Sequence, residues 1–88
     1  IKSEFILQFR IKTNDQNITS QYTKIVSKYV KSSTLLNSES SADNKSIKVT
    51  LDIIMKDEIE QNKLISEISA LEGLNEVVII AAKTDVDY

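Results

Sequence analysis

The chain has no cysteine, histidine, proline or tryptophan, and a single glycine in 88 residues. Without cysteine there is no disulfide framework, no thiolate metal site and no thiol nucleophile. Without histidine, the commonest general base and the commonest borderline metal ligand are both missing. A small enzyme is therefore disfavoured, and no metal or cofactor is expected. A net charge of −2 argues against a nucleic-acid binder that neutralises a phosphate backbone. No stretch approaches the roughly 20 apolar residues that span a bilayer, and no charged segment followed by an apolar one marks a signal peptide. The length is that of one domain near the lower limit of unaided folding. The start at Ile1 rather than methionine suggests that residues 1–88 are one domain of a longer protein, its C-terminal piece.

What is present is patterning. In "EFILQFRIK", Phe5, Leu7, Phe9 and Ile11 alternate with Ile6, Gln8, Arg10 and Lys12, the period of a half-buried strand. "TNDQN" breaks that period with residues that favour turns and helix caps. From about Ile18 the spacing turns helical, and Ile18, Tyr22, Ile25, Val26, Tyr29 and Val30 form one apolar stripe. Lys24, Lys28 and Lys31 fall on a flank of that helix, read as a solvated face. "SSTLLNSESS" is a poor strand leading into a loop, and Asn37 to Ser46 reads as a hairpin connection. "KSIKVTLDIIMK" restores a period of two, with Ile47, Val49, Leu51 and Ile53 on one side and Lys48, Thr50, Asp52 and Ile54 on the other. Asp57 with Glu60 three residues later is a variant capping box. Leu64, Ile65, Ile68 and Leu71 mark a second helix, and "LNEVVIIAA" closes the chain's periodic part. Gly73, between that helix and the last strand, reads as a left-handed helix terminator.

Strand, helix, strand, strand, helix, strand interleaves most simply as a ferredoxin-like βαββαβ α+β fold. The four-stranded antiparallel sheet then has the order 4-1-3-2, with both helices on one face. That topology hosts several functions, so each must be tested on residues. A heavy-metal carrier needs paired cysteines in the first strand–helix loop, and an acylphosphatase-like enzyme needs a glycine-rich phosphate loop and an arginine there. Residues 12 to 20 have none of these. An RNA-recognition module stacks bases on exposed aromatic residues of its central strands, yet Phe5 and Phe9 share the face expected under the helices.

Two features carry more. Ile6, Ile54, Val78 and Ile80 should point away from the helices, making an open apolar face of a kind monomers avoid. Asn14, Asp15 and Asn17 lie where the first strand meets the first helix, a place for an anion or amino acid at a helix N-terminus.

The run "LISEISALEGLNEVVII" resembles the closing helix–strand unit of ACT-like domains, in which a helix ends in a small turn and the next strand begins V-x-x-V. The spacing of the whole chain is similar to that superfamily. It is also similar to the soluble C-terminal domains that follow membrane helices in MgtC-like and related uncharacterised bacterial membrane proteins. The resemblance implies a regulatory domain, with membrane contact only through an upstream segment and the domain on the cytoplasmic side. ACT domains typically carry a glycine in the first strand–helix loop where effector amino acids bind, and "TNDQN" has none. The reading is therefore a non-enzymatic regulatory or assembly domain. Its expected partner is a second copy, making a homo-oligomer, or an upstream domain of the same protein. The alternative is an ACT-type sensor of an amino acid or anion, using Asn14, Asp15 and Asn17.

Overall fold

The computed structural model describes residues 4–12 and 16–81. Its elements are β1 (Glu4–Lys12), α1 (Gln16–Tyr29), β2 (Val30–Ser40), β3 (Ser46–Met55), a 3-10 turn (Glu58–Glu60), α2 (Gln61–Ser69) and β4 (Leu74–Ala81). The sheet order is β2-β3-β1-β4, with antiparallel pairing throughout. This is the expected 4-1-3-2 order of a ferredoxin-like fold.

Alternation along β1 and β3 decides which face is buried. Leu7, Phe9 and Ile11 join Val49, Leu51, Ile53 and Met55 beneath the helices. From α1, Ile18, Val26 and Tyr29 close on that layer, and from α2, Leu64 and Ile68 do so. Burying each of these side chains contributes about 1.5–3 kcal/mol of transfer free energy, which is why the helical stripes dock here rather than facing water. The Phe9 and Tyr22 rings meet edge to face at 4.8 Å, which buries Phe9 instead of leaving it as a stacking platform.

The helices are linked by polar contacts as well. The Tyr29 hydroxyl donates to Glu67, and Glu67 also holds Lys28 Nζ at 2.9 Å. Both contacts hold the Glu67 carboxyl below its ordinary range, the Tyr29 bond having the larger effect. The same bond pushes the Tyr29 hydroxyl up, and Glu67 does likewise to the Lys28 ammonium.

Three expectations are corrected. The first helix ends at Tyr29, so Val30 and Lys31 belong to β2 and not to the helix; only Lys24 and Lys28 lie on its exposed flank. The "poor strand" is the longest in the sheet, 11 residues, and takes in Asn37–Ser40. The hairpin connection is therefore only residues 41–45, not Asn37 to Ser46. The physical reason is pairing: β2 is an edge strand exposed at every position but Val30, and its backbone bonds to β3 hold it without an apolar face.

The helix ends follow local chemistry. Asp57 caps the 3-10 turn by accepting from the Ile59 N–H at 3.1 Å, whereas Glu60 pairs with Lys63 at 3.5 Å. The reciprocal half of the expected capping box is thus replaced by an ion pair one turn on. α2 ends at Ser69 with Ala70 as a right-handed cap, so Gly73 is not the helix terminator expected. It adopts φ 91° in the following turn, closed by the Leu74 N–H on the Leu71 carbonyl, and its own carbonyl accepts the Lys12 N–H at 3.2 Å. The boundary glycine therefore also fastens the end of β1.

Candidate interface on the open sheet face

The register of the sheet builds the outer face in rows. Ile6 on β1 stands directly opposite Asp52 on β3 and Ile80 on β4. The next row is Thr50, Gln8 and Val78, and the following one sets Lys48 opposite Arg10. On the β2 side the same rows continue with Thr34, Asn37 and Glu39. Ile6, Val78 and Ile80 are thus neighbours on the β1–β4 half, while the β2 and β3 positions of these three rows are polar. Ile54 lies on the same face, opposite Glu4 on β1 and Ser32 on β2, one diagonal step from Ile6. The helices cover the other face, and Val78 and Ile80 stay 44% and 47% exposed. Ile6 and Ile54 are half-buried by their strand neighbours.

Asp52 sits in the Ile6 row itself, two residues along β3 from Ile54. Its Oδ1 is shielded from solvent and has no hydrogen-bond partner among the described residues. This orphaned oxygen is invisible to sequence reasoning, since only the register shows what flanks it.

A bulge sets the aim of β4. Gln8 pairs with Val78 and Arg10 with Asn75, so two β4 residues stand opposite Phe9. Glu76 takes up the extra length at φ 56°, and the inward positions therefore run Leu74, Val77, Ile79 rather than in strict alternation. Without that bulge Val78 and Ile80 would turn inward.

The second expected site is only partly in view. Asn14 and Asp15 lie outside the described residues, and Asn17 is exposed in the first turn of α1. Among the described residues, no group of three or more acidic side chains is placed to hold a metal ion, and no helix is long and apolar enough to cross a membrane.

Sequence reasoning missed the far end of the face. There the β2–β3 hairpin forms a cleft of about 440 Å³ lined by Arg10, Glu39, Ser40, Ser41, Ala42 and Lys48. The hairpin itself is tightly organised. Ser41 Oγ donates to Asp43 Oδ1 at 2.6 Å, the Lys45 N–H donates to the same oxygen at 3.0 Å, and Asn44 turns at φ 59°. These bonds, the Ser41 hydroxyl first, hold the Asp43 carboxyl below its ordinary range.

No family model matches the chain, and no curated protein matches it. Solved structures do. The crystal structure of the ACT domain from GTP pyrophosphokinase of Chlorobium tepidum is 15% identical, with a TM-score of 0.64, and the match covers 91% of this chain and 100% of that one. An uncharacterised Thermotoga maritima protein is 14% identical with a TM-score of 0.62, over 94% of this chain and 100% of that one. A DUF3240 family protein from Shewanella baltica is 11% identical with a TM-score of 0.55, over 100% and 99%. At such identities the likeness is one of architecture, and the chain shares with these structures the ferredoxin-like fold.

Proposed function

We propose that this chain is a non-enzymatic regulatory domain that works by pairing with a second copy through its open sheet face. One observation carries this reading: Ile6, Val78 and Ile80 are adjacent on a face that no helix covers, and the two β4 residues remain substantially exposed. An isologous pair suits the patch, because a two-fold axis lays the same apolar rows of both copies on each other. A domain this small also gains most from such cover, its own core being modest. Its wider setting is proposed as a longer bacterial protein of the MgtC-like kind, with the domain on the cytoplasmic side. The pattern resemblance of the sequence supports that setting. Sedimentation of the wild-type domain should give a dimer at modest concentration, and Val78→Lys, which puts a charge in the patch, should give a monomer with unchanged circular dichroism. A wild type that stays monomeric at high concentration overturns the pairing.

The second reading is a sensor domain that binds a small effector at Asn14, Asp15 and Asn17. Asn17 stands exposed in the first turn of α1, and an ACT-like fold supports the idea by analogy. A ligand that binds only the native state raises the melting temperature. Thermal-shift screening against amino acids should therefore show such a rise, lost in Asn17→Ala, and a flat result across the panel counts against sensing.

A further inference from the structure

The cleft at the β2–β3 hairpin carries a feature that the apolar patch does not explain. Arg10 and Lys48 are direct cross-strand partners on the outer face. Like charges placed opposite each other in a sheet are destabilising, a cost that Glu76 beside Arg10 and Glu39 opposite Lys48 offset in part. Arg10 is partly compensated: Nε is 3.4 Å from Glu76 Oε1 and Nη1 donates to Ser46 Oγ at 3.1 Å. That leaves part of its five-donor fork unspent. Lys48 is half-buried and its ammonium makes no ion pair or hydrogen bond among the described residues, although Glu39 stands opposite it on β2. Ser40 and Ser41 line its hairpin end, where the Ser41 hydroxyl donates to Asp43 and accepts from the Ser46 N–H.

We infer that this cleft binds a phosphoryl group of a small phosphorylated molecule. Two cations lining one cleft match a dianion, a planar guanidinium fork and a point-like ammonium being the two side chains best suited to phosphate oxygens. Glu39 on the β2 wall repels a bare anion but accepts hydrogen bonds from a hydroxyl beside the phosphoryl group. The ligand class is therefore a hydroxylated phosphomonoester rather than free phosphate. This site goes beyond the pairing proposed above and involves none of Ile6, Val78 or Ile80.

The test is an amide chemical-shift titration of the domain with inorganic phosphate and with glycerol 3-phosphate, against sodium chloride at matched ionic strength. Saturable shifts are expected at Ser40, Ser41, Ala42 and Lys48, with glycerol 3-phosphate binding more tightly than phosphate. Lys48→Gln should weaken both roughly tenfold, as expected for losing one charge-assisted contact, whereas Lys63→Gln on α2 should leave both unchanged. Glu39→Gln should tighten phosphate and erase the preference for the ester, a gain that a poorly folded variant cannot produce. Shifts that chloride reproduces, shifts that never saturate, or affinities unmoved by Lys48→Gln overturn the site. A preference for phosphate over the ester overturns the role given to Glu39 and with it the ligand class. Repeating the titration on Val78→Lys separates the two proposals, since phosphate binding should survive there even where pairing is lost.

Discussion

Gly73 is the one glycine in the chain, and it occupies one of three positive-φ positions among the described residues, the others being Asn44 and Glu76. Gly73 holds φ 91° in the turn that the Leu74 N–H closes on the Leu71 carbonyl at 3.3 Å, a conformation that a Cβ disfavours, so Gly73→Ala should lower stability by about 1 kcal/mol. A urea melt reads that loss as a shifted midpoint at constant slope. Glu76 presents the converse case. A non-glycine residue in the left-handed region costs roughly 1–2 kcal/mol, and glycine there would cost roughly 0.5–1 kcal/mol in unfolded-chain entropy. Its contact with Arg10 is long at 3.4 Å and its side chain 68% exposed, so that ion pair contributes little. Glu76→Gly should therefore raise stability by about 0.5 kcal/mol, the difference between those two costs. A clear loss would mean that Arg10 depends on Glu76 more than the geometry suggests. The glycine's place as a boundary was legible in the sequence because it follows a helical stripe and precedes an apolar run, but the helix ends earlier, at Ser69, and Gly73 serves the turn that follows. The glutamate's was not, since nothing in "LNEVV" distinguishes a bulge from a strand until the register is known.

At the scale of elements, β1, β3 and both helices were legible because each buries one face and so leaves a period in the sequence. β2 leaves none. Its residues from Lys31 to Ser40 are exposed, and its conformation is imposed by β3 through backbone bonds that any sequence can make. The same blindness moved the helix end, since no turn residue separates Tyr29 from Val30 and the apolar pattern runs across the join. What does hold the two helices together is side-chain chemistry, and it should titrate. The Glu67 carboxyl is lowered in the folded state by Tyr29 and Lys28. Its contribution is therefore full above the ordinary carboxylate value of about 4.3 and is lost as pH falls through the lowered folded value. Tyr29 and Lys28 are raised, so their share is full below their ordinary values near 10 and is lost as pH rises through the raised ones. The stability difference between wild type and Glu67→Gln should thus be widest near neutral pH and shrink at both extremes. A difference that stays constant from pH 3 to pH 7 would show that Glu67 acts through packing alone.

On the scale of the whole molecule, the members of the apolar face could be read from alternation, because each strand sorts its own residues to two sides. Their neighbours could not, since adjacency across strands belongs to the register. That is why the cleft at Arg10 and Lys48 was missed, and why Asp52 went unremarked beside Ile6. Asp52 now bears on the pairing. Its Oδ1 is already shielded and without a hydrogen bond, and a second copy closing over the face would take the rest of the carboxylate out of water. A charge carried into an apolar interface without a partner opposes association. Asp52→Asn removes the charge while keeping the shape, so it should tighten the dimer roughly tenfold, equivalent to about 1.4 kcal/mol. Sedimentation equilibrium over a concentration series measures this directly, and Val78→Lys placed in the same background should cancel the gain. Weaker pairing in Asp52→Asn would instead mean that the second copy brings a cation to this carboxylate, and the two copies would then meet in a register offset from the apolar rows.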